Sequence, residues 1–250
     1  MRTNQKSKHM KSQDIIILHG WNLSGAKFAP LADALRAKGY RVFTPDLPGF
    51  GKEPAPKRSW HVVDYAEFVK HYTDVHRIKN PVFIGHSFGG RVTLKYVQLY
   101  PENVRSIVLS GTPGFSPIPK KKMFLFFVIA KVGGFIFSLP PLNLLADWAR
   151  RWLYYVAGAR EFIRAEGAMR DTFKHVVQDN LVSAMESVRV PCLLLWGEYD
   201  VIVPVAIARR MQEVIAGAIL KVIPEVDHGV PFKEPAVFSG YVEQFLHAPS

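Results

Sequence analysis

The amino-acid sequence predicts an α/β domain: a mostly parallel central sheet with helices on both faces, interrupted by one helical insertion. Three observations lead there. Wholly apolar runs, Ile15-Ile16-Ile17-Leu18, Val82-Phe83-Ile84 and Cys192-Leu193-Leu194-Leu195-Trp196, read as strands buried on both faces. Stretches of helical period separate such runs, with short connections, which is the rhythm of right-handed βαβ units. Between residues 115 and 188 that rhythm stops, and aromatic residues and helical patterns replace it. A chain of 250 residues accommodates one α/β domain with such an insertion.

The elements follow in order. Residues 1–13 are polar and basic, with no apolar stretch leading to a cleavage site, so they read as a disordered tail without a signal peptide. After the Ile15–Leu18 strand, His19-Gly20-Trp21 turns into a helix from Phe28 to Lys38, with Gly39 at its C-terminal cap. Arg41–Thr44 is the second strand, and Pro45-Asp46-Leu47-Pro48-Gly49-Phe50-Gly51 is a loop dense in turn residues. Val62, Tyr65, Val69 and Tyr72 lie at helical spacing and predict a helix over 62–78. The Val82–Ile84 strand, a helix from Gly90 to Tyr100 and a strand at 106–109 follow. Beyond the insertion come the Cys192–Trp196 strand, a helix over 205–216, a strand over 218–223 and a last helix over 235–247. The expected organisation is a core of residues 14–114 and 189–250, with 115–188 as a helical cap insertion.

Composition narrows the function classes. The formal charge is +11, which favours an acidic partner, an anionic substrate or a membrane surface over a neutral one, although a solvated basic face accounts for it too. No nucleic-acid-binding motif accompanies the spread-out charge, so no nucleic-acid partner is expected. The apolar stretch Met123–Ala130 falls far short of the roughly 20 residues of a spanning helix, and reads as a buried or lipid-facing cap element. The single cysteine, Cys192, sits in a strand run and cannot form an internal disulfide, so a cytoplasmic location is expected. Histidines and carboxylates lack metal-ligand spacing and there is no phosphate-cradling glycine loop, so neither metal nor cofactor is expected.

The chemistry concentrates in Gly85-His86-Ser87-Phe88-Gly89, a G-x-S-x-G pattern directly behind an apolar strand and ahead of a helix. Such a serine sits on a sharp strand-to-helix turn, and its flanking glycines avoid collisions with neighbouring backbone. A nucleophilic serine needs a base, a group that orients the base, and donors for the oxyanion. On this type of sheet the chain order is nucleophile, acid, histidine. Asp200, just past the Cys192–Trp196 strand, is the candidate acid, with Glu198 as the alternative. His228, after the last strand, is the candidate base. Of the other histidines, His19 reads as structural, and His86 as facing into the strand and unable to reach around it. The oxyanion donors are expected from the backbone N–H groups of Phe88 and Trp21.

Together, Leu18-His19-Gly20-Trp21, the Asp46–Gly51 loop, Gly85–Gly90, Gly197-Glu198-Tyr199-Asp200 and Asp227-His228-Gly229 resemble the α/β-hydrolase family over residues 15–247. The resemblance implies that residues 115–188 are a mobile cap and that the active site lies between cap and core. Branches of the family that cleave carbon–halogen bonds or epoxides carry an aspartate at the elbow, so Ser87 implies acyl transfer to water. An aromatic cap (Phe124, Phe126, Phe127, Phe135, Phe137, Trp148, Trp152, Tyr154, Tyr155) points to a small or medium hydrophobic ester as substrate. Other chemistry on the same triad (a carbon–carbon bond hydrolase, a lyase or a perhydrolase) and a ligand-binding member without turnover are the alternatives. The His-Gly-Trp turn with cap arginines Arg150, Arg151, Arg160, Arg164 and Arg170 also resembles the esterase branch that works on an acyl chain tethered to an acidic carrier protein; that resemblance implies cap arginines gripping the carrier.

Overall fold

A computed structural model describes residues 13–115 and 167–248. Six strands form one sheet: β1 (Asp14–Leu18), β2 (Arg41–Phe43), β3 (Val82–His86), β4 (Ser106–Ser110), β5 (Cys192–Gly197) and β6 (Ile219–Ile223). Their spatial order is β2-β1-β3-β4-β5-β6, and every neighbouring pair is parallel. The chain leaves β1 for β2 on one side, then returns to place β3 on the other. The loops after β1 and β3 therefore part at a topological switch point, where open α/β sheets bind their ligands.

The eight helices among the described residues are α1 (Ala29–Ala37), α2 (Val62–Val75), α3 (Phe88–Leu99), α4 (Gly167–Gln178), α5 (Val182–Glu186), α6 (Val205–Val214), α7 (Val230–Lys233) and α8 (Pro235–His247). Strand side chains alternate between two cores, as the two-residue period requires. Ile16, Leu18, Phe83, Ile107, Leu109, Leu194 and Trp196 pack with α2, α3, α5 and α6. Ile15, Ile17, Val82, Ile84, Val108, Leu193 and Leu195 pack with α1 and α8. Burying both faces explains why these strands read as unbroken apolar runs rather than alternating ones. Each such side chain contributes about 1.5–3 kcal/mol on leaving water.

Some boundaries differ from the periodicity. The 62–78 helix stops at Val75, because Arg77 (φ 53°) and Asn80 (φ 45°) are in the left-handed region and reverse the chain toward β3. The helix expected from Phe28 is preceded by a 3₁₀ turn over Gly25–Phe28. β6 is an edge strand with Ile219 exposed. The tail residues 1–12 and residues 116–166, with all the aromatic cap residues named above and Arg150, Arg151, Arg160 and Arg164, lie outside the described residues. Within the rest of the 115–188 stretch, Leu181, Ala184, Met185 and Val188 are buried in the core that α2 and α3 also build. Among the described residues, no helix is long and apolar enough to cross a membrane.

Candidate active site

Ser87 caps α3 at the end of β3 with φ 53° and ψ −113°, a backbone conformation that costs an L-residue about 1–3 kcal/mol. The surrounding structure holds it there. The Ser87 N–H donates to Ser110 O at 2.8 Å, and the Ser87 carbonyl accepts from the Gly90 N–H at 3.1 Å. The flanking glycines are required by close approach. A Cβ on Gly85 would lie 2.5 Å from Gly90 Cα, and one on Gly89 only 2.1 Å from Leu18 O. The elbow is thus a helix pressed against two strand backbones, and Ser87 is lifted out at their rim.

Asp200 and His228 meet at the same rim. His228 Nδ1 lies 2.7 Å from Asp200 Oδ2, with the carboxylate side chain 1% exposed and the imidazole 15%. The other Asp200 oxygen, Oδ1, accepts from the N–H groups of Ile202 (3.0 Å) and Val203 (2.8 Å). The Asp200 carboxylate therefore acts only as an acceptor, which fixes the proton on His228 Nδ1 and leaves the Nε2 lone pair free. The alternative acid, Glu198, points elsewhere: its Oε2 accepts from the Glu225 N–H at 3.1 Å. Asp227 Oδ1 accepts from the Gly229 N–H at 2.9 Å, and its other oxygen pairs with Lys233 at 2.5 Å. Those contacts brace the segment that presents His228, and the Lys233 pair holds the Asp227 carboxyl below its usual range. Gly111, at φ 56°, lets the loop after β4 pass the pair; a Cβ there would lie 2.6 Å from His228 Cε1.

At His86 the structure adds a contact that the sequence did not show. It is fully buried, yet its ring centroid lies 4.7 Å from that of His228. The residue before the candidate nucleophile thus packs against the candidate base, which places the His228 ring beside the elbow. Among the described residues, no hydrogen bond joins Ser87 Oγ to that ring; the bond made is the one to Asp200. Burial, then the proximity of His228, hold the His86 pKa well below the ordinary histidine value, so this ring is neutral.

The turn expected to supply an oxyanion donor stands opposite. A Cβ on Gly20 would lie 3.4 Å from Ser87 Cβ, so the backbone after β1 runs alongside Ser87. The Phe88 N–H is in the first turn of α3, where helix amides lack internal acceptors. The Trp21 and Phe88 rings meet edge-on, with centroids 5.3 Å apart. His19 organises this turn, a role its position alone did not reveal. Its Nε2 accepts from the Leu47 N–H at 2.9 Å, so Nδ1 carries the proton and donates to Gly20 O at 2.8 Å. Burial lowers its pKa, against the opposing pull of the Gly20 bond and of Asp46. Asp46 itself accepts from the N–H groups of Gly25 (2.7 Å) and Lys52 (2.9 Å), joining the two loops.

Around Trp21 the rings of Phe50 (4.9 Å) and Phe173 (5.0 Å) complete an aromatic wall. A cleft of about 490 Å³, lined by residues from 22–27 and 49–51, opens beside it. Among the described residues no group of three or more His, Cys, Asp or Glu side chains is placed to hold a metal ion.

The model of the alpha/beta hydrolase fold family matches residues 15–235. The uncharacterized hydrolase YugF of Bacillus subtilis (strain 168) is 25% identical, covering 94% of this chain and 90% of that one. The 2-hydroxymuconate semialdehyde hydrolase of Pseudomonas sp. (strain CF600) is 27% identical over 84% of this chain and 77% of its own. Among solved structures, the esterase EaEST from Exiguobacterium antarcticum superposes with a TM-score of 0.73 at 22% identity, over 95% of this chain and 92% of that one.

Proposed function

This chain belongs to the α/β hydrolase fold family, and from that premise we propose that it is a serine hydrolase cleaving carboxylic esters of small to medium hydrophobic acyl or aryl acids. The observation that carries the reading is the 2.7 Å pairing of Asp200 with His228 at the rim where the strained Ser87 is presented. Ser87 Oγ attacks the ester carbonyl carbon while its proton passes to His228 Nε2. Asp200 holds the imidazolium that forms. The carbonyl oxygen, now negative, takes hydrogen bonds from the N–H groups of Trp21 and Phe88. Collapse of this intermediate breaks the bond to the alcohol, which departs with the proton from Nε2. Water then repeats the sequence on the acyl-enzyme: its proton goes to Nε2, its oxygen to the acyl carbon, and Ser87 leaves reprotonated. The products are the alcohol and the carboxylic acid. The rings of Trp21, Phe50, Phe88 and Phe173 support an apolar acyl group.

The test is a panel of p-nitrophenyl esters with acyl chains of increasing length. Wild type is expected to turn them over and to be labelled on Ser87 by a fluorophosphonate, with Ser87→Ala inert to both. Equal inertness of the two proteins would remove the reading. One relative's name, 2-hydroxymuconate semialdehyde hydrolase, favours a second reading, carbon–carbon bond hydrolysis by the same triad. Faster turnover of vinylogous diketones than of any ester would select it.

A further inference from the structure

Arg91 lies four residues beyond Ser87 on α3 and is 2% exposed. A guanidinium so deep ordinarily faces a carboxylate. This one donates to main-chain carbonyls: Nη1 to Pro113 O, and Nη2 to Asp179 O at 2.5 Å. Burial lowers its pKa to about 10, with the Asp179 carboxylate opposing, so it is charged at neutral pH. The two carbonyls belong to opposite ends of one excursion of the chain. Pro113 is on the way out of β4, and Asp179 follows α4 on the way back. The Leu181 N–H closes on Gly114 O at the same neck, at 3.3 Å.

What the clamp holds matters for the site. Behind Pro113 is Gly111, against the His228–Asp200 pair. Before Asp179 is α4, pinned a second time where the Trp60 N–H donates to Thr172 Oγ1 at 2.9 Å and the Val62 N–H to Asp179 Oδ2 at 3.2 Å. α4 carries Phe173 to the Trp21 ring and Met169 to within 2.4 Å of where a Gly49 Cβ would stand.

We propose that Arg91 is a positioning residue for the acyl side of the site: from the nucleophile's own helix it fixes α4, so that Phe173 and Met169 stand in register with Ser87. It touches no substrate and acts through α4. The activity readout rests on the ester reading above; the exchange readout does not.

The experiment compares wild type with Arg91→Met, which removes both donors and the buried charge at similar length, and Arg91→Lys. Three quantities are measured: hydrogen–deuterium exchange over 167–182, kcat and KM for acetyl and for long-chain or aryl esters, and the labelling rate of Ser87 by a small fluorophosphonate. Arg91→Met is expected to exchange about tenfold faster or more in α4. It is expected to lose about tenfold in kcat/KM on the larger esters, mainly through KM, while acetyl-ester turnover and labelling stay within about threefold. Arg91→Lys recovers part of both losses. Unchanged α4 exchange in Arg91→Met, or the same loss on acetyl ester, large ester and label, overturns the proposal. Should Arg91→Met fail to fold, Arg91→Lys is read by the same criteria. If wild type hydrolyses no ester, the ester reading fails, while the exchange comparison still decides Arg91.

Discussion

Replacing Asp200 by Asn tests the site at its most constrained point. All three hydrogen bonds of the Asp200 carboxylate are accepted, two by Oδ1 from the N–H groups of Ile202 and Val203 and one by Oδ2 from His228. An amide has one accepting oxygen and one donating nitrogen. If the oxygen keeps the Ile202 and Val203 bonds, the NH₂ faces His228 Nδ1. That nitrogen must then accept, the proton moves to Nε2, and the ring has no lone pair for Ser87. The flipped amide would restore His228 but aim its NH₂ at two N–H donors, leaving buried groups unsatisfied at about 1–3 kcal/mol each. The first orientation wins, so the variant holds the wrong tautomer. A carboxylate-to-amide change of this kind lowers kcat by about 10⁴. Stability changes less: weakening three charge-assisted bonds to neutral ones costs about 1 kcal/mol each, about 3 kcal/mol in all. For a domain of this size that is a fall of about 6–12 °C in melting temperature. Steady-state ester hydrolysis, with melting as the control for folding, reads both quantities. Activity within tenfold of wild type would refute the tautomer argument. Glu198→Gln, whose carboxylate bonds the Glu225 amide instead, should stay within about threefold of wild type.

Other expectations follow from the same geometry. Gly89→Ala places a Cβ 2.1 Å from a strand carbonyl and should lower stability by about 3 kcal/mol. Gly240→Ala, in α8 with nothing within 4 Å, should raise it by about 0.5–1 kcal/mol; urea midpoints of the two variants moving together would contradict this. Burial holds His19 and His86 both below the ordinary histidine value of about 6.5, so the unfolded chain takes up protons that the fold refuses. Stability is therefore full above about pH 6.5 and falls as pH drops toward each folded pKa, by about 1.4 kcal/mol per pH unit per histidine. Urea denaturation across pH 7.5 to 5 measures the slope, and His19→Gln should reduce it; a flat profile would argue against neutral buried rings. Cys192 is 2% exposed and burial pushes its thiol pKa far up, so alkylation at pH 8 should require global unfolding and match its rate. Rapid labelling of the native protein would contradict that burial.

The parallel sheet was legible because its strands are buried on both faces: runs such as Ile15–Leu18 and Cys192–Trp196 cannot be amphipathic elements. The elbow glycines were legible for a related reason, since each marks a place where backbone meets backbone. Helix ends were less so. The stop at Val75 depends on Arg77 and Asn80 adopting positive φ, a local choice without a sequence mark as strong as glycine. The His86–His228 contact could not be read either, because it joins the end of β3 to a side chain far along the chain, in the loop after β6. Arg91 did leave a trace: a cation inside Gly89-Gly90-Arg91-Val92-Thr93-Leu94, on a helix pressed against the backbones of β1 and β3. Its two carbonyl partners left none, since main-chain acceptors have no residue type.

The strained φ and ψ of Ser87 set chemistry and durability against each other. A glycine there would adopt the same angles without penalty and leave a tougher, inert molecule. Descendants of this gene under no demand for turnover would gain robustness by discarding the hydroxyl. Persistence of a serine at the elbow across a lineage would therefore record continuing selection for reactivity, in opposition to the drift toward a more durable scaffold.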